Sequence, residues 1–283
     1  MDRKLIIQRM KKSKFFMLGF SVALIVVILS LLAPYIVPFD PIKSMLTERL
    51  AAPDGLSKGF SGHILGTDQM GRDILTRLLV GSRYSLAIAL CVVTLSTVIG
   101  TTLGLIAGYS GGIVDTVIMR TTDVFLSIPN LVLAIAVMAV LGASTINLVA
   151  VLTITSWVSY CKITRNNVLV VKNQEFVHAS QVLGASMPGI IFGQILPNVT
   201  TPLLITISQQ FGMTIMVEAS LSFLNLGIQP PTPSWGNMIA AGRNYLTTCP
   251  WLVIAPGVAL MLTVLAFNFL GDGLRDVFDP KRT

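Results

Sequence analysis

Asp115, Arg120 and Asp123 place charge in a stretch of chain that is otherwise apolar. Charge within a hydrocarbon layer is costly and often functional. Arg120 and Asp123 are three residues apart, so on a helix they share a face and can pair. They read first as a structural ion pair and second as charge along a path for a polar solute. The sequence holds little else for bond-making chemistry. His63 and His178 fall on opposite sides of a predicted membrane and cannot share a metal, and His178 reads as a solvated histidine before it reads as a pH sensor. Cys91, Cys161 and Cys249 form no disulfide framework and read as small buried or incidental thiols. There is no G-x-x-x-x-G-K-[ST] loop to cradle a nucleotide and no nucleophile–base pair. No catalytic residue, cofactor or metal site is therefore expected in this chain.

The elements that must position these residues are membrane spans. Hydrophobic residues make up 53% of the 283 and charged residues 12%, against about 25% charged in soluble domains. About 20 residues cross a hydrocarbon core. Six stretches qualify or nearly so: Phe15–Val37, Tyr84–Tyr109, Ile113–Leu141, Ile146–Tyr160, Thr200–Val217 and Trp251–Leu270. The first is too long for the apolar part of a cleaved signal and runs into prolines, so it reads as a retained span. Arg3, Lys4, Arg9, Lys11, Lys12 and Lys14 precede it, which predicts a cytoplasmic N-terminus. Threading from there puts twelve Lys and Arg inside, seven outside and Arg120 within a span. Both termini then face the cytoplasm in a multi-pass membrane protein. No basic stripe alternates with exposed aromatics, so a nucleic-acid partner does not fit.

Within the second span, Ser96, Gly100, Gly104 and Gly108 recur every four residues, and small residues on one face let helices approach closely in lipid. The stripe predicts a helix–helix contact, within the chain or with a partner span. Pro129 should kink the third span, because it lacks a backbone donor and clashes one turn back. Outside, Pro230, Pro231 and Pro233 stiffen a loop in which Trp235 suits a membrane interface. The expected organisation is a terminal anchor (1–38), an extracytoplasmic segment (39–83) and a transmembrane core (84–283).

Residues 161–199 form the one sizeable inside loop. Lys172–Val182 reads as a short helix, Gly184 breaks it as a residue able to take the left-handed conformation, and a second short helix, Gly189–Leu196, runs to Pro197. Two short helices at an angle make a knob for a partner's groove. The loop resembles the coupling loop of ABC importer permeases, whose pattern is Glu-Ala-Ala, three residues, Gly, then a spacer to Ile-x-Leu-Pro. His178-Ala179-Ser180 stands at the triplet, Gly184 at the glycine, and Gln194-Ile195-Leu196-Pro197 at the end; His178, Ser180 and Gln194 are the departures. Further stretches resemble the peptide and nickel branch of that family: Gly66–Leu86, Gly104–Arg120, Leu226–Ile239 and Ala266–Pro280.

The resemblance implies an all-α protein of six transmembrane helices with the type I ABC importer transmembrane fold. It implies a non-catalytic half-pore that pairs with a homologous permease and receives substrate from an outer binding protein. Two ATPases, which bind ATP and Mg, would dock on Glu175, His178, Ala179, Ser180, Gly184, Leu196 and Pro197. Alternating access would carry peptides, or alternatively nickel or a metal chelate. A stand-alone secondary transporter would want inverted repeats, and a membrane enzyme a convergent catalytic set; neither is found.

Overall fold

A computed structural model describes residues 3–55 and 62–278, with side chains from residue 7 onward. The charges of Arg3 and Lys4 and the end of the Ala266–Pro280 motif lie outside the described side chains. Helix α1 (Arg3–Lys12) precedes the first apolar helix, α2 (Lys14–Ile36); α3 (Ile74–Ser110) follows an irregular segment. Then come α4 (Gly112–Leu126), α5 (Asn130–Leu141), α6 (Thr145–Val171) and α7 (Glu175–Val182). Helix α8 (Met187–Phe223), the short α9 (Trp235–Gly242) and α10 (Trp251–Phe278) follow. Among the described residues, five helices are long and apolar enough to cross a membrane, or six if the α4–α5 pair is one span.

At that pair the kink expected at Pro129 is a full break. Gly112–Leu126 and Asn130–Leu141 meet at 84°. The cause is local. Pro129 forces the preceding residue out of the helical region and offers no N–H. Ser127 turns its hydroxyl onto the carbonyl of Val124, 2.7 Å away, and closes α4.

Helices α3 and α8 each run 37 residues. At 1.5 Å per residue that is about 55 Å, well beyond a ~30 Å core. Helix α3 therefore begins ten residues before Tyr84, α6 continues eleven past Tyr160, and α8 starts thirteen before Thr200. The inside loop shrinks accordingly, since both its flanks are helix ends. Glu218, expected at the start of an outer loop, lies within α8.

The small-residue stripe packs inside the chain, against α6. A methyl at Gly100 would lie 2.4 Å from the carbonyl oxygen of Trp157, at Gly104 2.6 Å from that of Cys161, and at Gly108 2.7 Å from the Val168 side chain. Ser96 reaches the carbonyl of Thr153 at 3.3 Å. Helices α2 and α10 meet in the same way: Gly19 lies against the α10 backbone near Leu270, and Gly273 against the backbone of Phe16. The outer face of α2 presents Leu18, Ile25 and Leu31, all exposed, as a lipid-facing side should.

The segment before α3 is a compact cap. Asp68 accepts from the backbone of Met70 and Arg72 and pairs with the Arg72 guanidinium at 2.7 Å. Arg77 donates to the carbonyl of Pro41 at 2.7 Å. Asp73 caps α3 by accepting from Thr76 N, and holds His63 Nδ1 at 2.9 Å with its other oxygen. His63 Nε2 faces Glu48, also at 2.9 Å. Trp235 corrects a second expectation: it is 2% exposed, not interfacial, and donates its indole N–H to the Leu78 carbonyl at 3.1 Å. The capping box of Ser234 and Asn237 turns α9 inward, which buries the ring.

Candidate functional site: an exposed knob on a braced base

Helix α7 is eight residues long, too short to be stable alone, and one fully buried apolar residue anchors it. Val177 is fully buried among Leu105, Val168, Ile190, Ile195 and Val199. The rest of the knob faces outward: Glu175, His178 and Ala179 are exposed, and so is every residue from Gln181 to Gly189. Val182 and Leu183 are each 87% exposed, an unusual state for apolar residues at a tip.

Gly184 ends α7 as its spacing predicts. Its φ is +79°, a region that side chains disfavour. Gly184 N donates to Gln181 O and Ala185 N to Ser180 O, each at 3.0 Å, the paired bonds of a Schellman ending. The next helix begins at Met187, so the expected second short helix is the leading end of α8. Residues Ile191–Ile195 widen into a π turn, with Leu196 N bonded to Ile191 O. Pro197 accounts for this: its ring cannot sit over the carbonyl four residues back in a regular helix.

Two of the three departures from the resembled pattern meet each other. Gln194 Nε2 donates to Ser180 Oγ at 2.6 Å, and Ser180 Oγ in turn donates to the Phe176 carbonyl at 3.0 Å. The third, His178, is exposed and touches Gln181 at 3.4 Å. Neither Ser180 nor Gln194 signals this contact in sequence, because they stand fourteen residues apart across a turn.

The charges below the knob pair differently from expectation. Asp123 is engaged by Lys162 at 2.9 Å, not by Arg120. Arg120 is exposed and makes no ion pair among the described residues. Asp115 is gripped by both nitrogens of the Arg165 fork, at 2.9 and 2.5 Å. Lys172 donates to the carbonyl of Gly108 at 2.8 Å. The three cations that marked an inside loop thus tie α6 to α4 and to the end of α3. Arg165 and Asp115 are the stronger tie, because a forked guanidinium matches a carboxylate.

Sequence reasoning passed over Glu218. Its side chain is fully buried, and Ser222 Oγ donates to it at 2.7 Å while accepting from Ile228 N at 3.1 Å. This chain of bonds fastens the end of α8 to the proline-rich loop. An acid flanked by apolar residues and four positions before a serine was the available signal.

No cluster of three or more His, Cys, Asp or Glu that could hold a metal occurs among the described residues. Residues 100–283 match the family described as the binding-protein-dependent transport system inner membrane component, and residues 3–53 match the N-terminal transmembrane domain of oligopeptide transport permease C. The chain is 41% identical over 271 residues to the dipeptide transport system permease protein DppC of Haemophilus influenzae, covering 96% of this chain and 92% of that one. It is 41% identical over 263 residues to a di/tripeptide transport system permease of Pseudomonas aeruginosa, covering 93% and 87%. A glutathione transport system permease of Pectobacterium atrosepticum is 42% identical over 259 residues, covering 91% and 84%. Among solved structures, a chain of the MetNI methionine ABC transporter in inward facing conformations superposes with a TM-score of 0.59 at 19% identity, covering 73% of this chain and 98% of that one. That likeness is one of fold.

Proposed function

Because the chain belongs to the family of binding-protein-dependent transport system inner membrane components, we propose that it carries di- or oligopeptides across the cytoplasmic membrane by ATP-driven alternating access. It is a permease subunit with the type I ABC importer transmembrane fold, a pore component and not the ATP-hydrolysing one. Relatives named for dipeptides, di/tripeptides and glutathione support the peptide reading over nickel.

In this reading a homologous permease completes the pore, a binding protein delivers substrate from outside, and two ATPases bind ATP and Mg. Residues 1–38 anchor the chain, 39–83 lie outside and 84–283 form the core, with both termini in the cytoplasm. The observation that carries the coupling role is the exposed knob Glu175–Ser186, anchored at Val177, turned at Gly184 and set on a base braced by Asp115–Arg165. A docking element transmits motion only if it is stiff and if its two states differ in contact free energy. Ala179 and Gly184, with Glu175, His178, Ser180, Leu196 and Pro197, make or shape the contact.

The test is uptake of a radiolabelled dipeptide by the assembled transporter in proteoliposomes, with and without ATP. Ala179→Arg should abolish ATP-driven uptake while leaving assembly intact, since a long cation on the exposed face of α7 would not enter a groove. Wild-type uptake by an assembled Ala179→Arg variant would remove the knob from the mechanism. Ser186→Cys should react with an impermeant maleimide only from the cytoplasmic side.

A further inference from the structure

The break between α1 and α2 opens a cleft of about 460 Å³. Arg9, Lys12, Ser13, Lys14 and Phe15 line it from one side, and Asp276 from the end of α10 on the other. Among the described lining residues there are three cations and one acid. Arg9 is committed to the fold, donating to the Val277 carbonyl at 3.4 Å. Lys12 and Lys14 are exposed and make no ion pair among the described residues.

The surroundings have two characters. Lys14 is the first residue of an apolar span of mean hydropathy 2.8, so the cleft sits at headgroup depth. Ser13 caps α2 by accepting from Phe16 N at 3.3 Å, and no acid occupies the first turn of α2 to offset its positive end. Immediately beyond, Phe15 is 52% exposed and its ring lies 5.6 Å from that of Phe269. An anion-seeking mouth thus opens onto an aromatic wall facing the acyl layer. Basic clusters beside a span attract anionic headgroups. Orienting the N-terminus requires only positive charge; it does not require α10 to close a cleft around that charge.

We propose that this cleft binds one anionic phospholipid, with its phosphodiester between Lys12 and Lys14 and its first acyl carbons against Phe15 and Phe269. A soluble phosphate would fill only the upper half. The lipid would pin the N-terminal helices to α10 at the membrane surface.

The full chain, purified in zwitterionic micelles with the subunits that remain attached, is titrated with phosphatidylglycerol, phosphatidylcholine or inorganic phosphate and read by native mass spectrometry. One phosphatidylglycerol should be retained above the statistical background. Lys12→Gln/Lys14→Gln should need on the order of tenfold more lipid for the same occupancy. Lys12→Arg/Lys14→Arg should match the wild type, and Asp276→Asn should retain the lipid at lower concentration. The last two variants decide the matter if the glutamine pair fails to insert. Equal retention of phosphatidylcholine, an unchanged lysine-to-glutamine variant, weaker retention in Asp276→Asn, or displacement of the lipid by millimolar phosphate would each overturn the proposal.

Discussion

Gln194 Nε2 donates to Ser180 Oγ across 2.6 Å, joining the end of α7 to the first turns of α8. Both residues depart from the pattern the loop resembles, and they depart together. The bond braces the knob from behind.

Ser180→Ala should therefore destabilise the knob by about 1 kcal/mol, since a part-buried amide loses its acceptor. Gln194→Ile alone should cost a similar amount. The double variant should cost less than the sum, giving a coupling of about 0.5–1 kcal/mol in a double-mutant cycle on thermal unfolding. Strict additivity would show that the bond carries no net stability.

Gly104 should tolerate no large side chain. Its Cβ would lie 2.6 Å from the Cys161 carbonyl and 2.7 Å from the Thr164 side chain. Overpacking of this kind costs about 1–3 kcal/mol. Gly104→Leu should lower the melting temperature and the yield of folded chain, whereas Gly111→Ala, with no neighbour within 4 Å, is strained only by its φ of +67°. Equal yields from the leucine variant and the wild type would contradict the α3–α6 packing.

The Asp115–Arg165 fork is partly exposed, its side chains 17% and 25% accessible. Its coupling should accordingly be modest, about 1 kcal/mol. Asp115→Asn and Arg165→Gln should each lower stability, and the exchange Asp115→Arg/Arg165→Asp should recover part of the loss. Lys162→Gln should have less effect, because its carboxylate partner is 52% exposed.

His63 gives the cap a pH dependence. Burial pushes its imidazole down, but the hydrogen bonds and charges of Glu48 and Asp73 push it up by more, and the balance lies above the ordinary value. Both contacts need a donor on each nitrogen, which only the cation supplies. A group whose folded pKa is raised contributes stability that is full below its unfolded value, about 6.5, and lost as pH rises through the folded value. The gap in melting temperature between wild type and His63→Gln should be widest near pH 5.5 and narrow above neutrality. A gap that widens with pH would mean the imidazole is neutral in the fold.

Much of this architecture is legible in the chain. Apolar length located the spans, Gly184 marked the end of α7, and Pro129 marked the break in the third span, because each acts on its own few residues. Span ends were misjudged wherever a helix overran the bilayer, since polar residues such as Lys162, Arg165 and Lys172 look like loop when only hydropathy is read. Trp235 was misplaced for a related reason: an indole suits an interface, and nothing local shows that Leu78 supplies a buried acceptor.

By itself the sequence determined a multi-spanning helical chain, its family, and a glycine-ended knob on one side of the membrane, all properties of composition and short spacing. Only the tertiary structure decided that Asp123 takes Lys162 and Asp115 takes Arg165, across 39 and 50 residues, in place of the adjacent Arg120. It also settled that the glycine stripe faces α6. Partner choice between helices depends on which surfaces pack, and side-chain reach across a packed interface is written in no single helix.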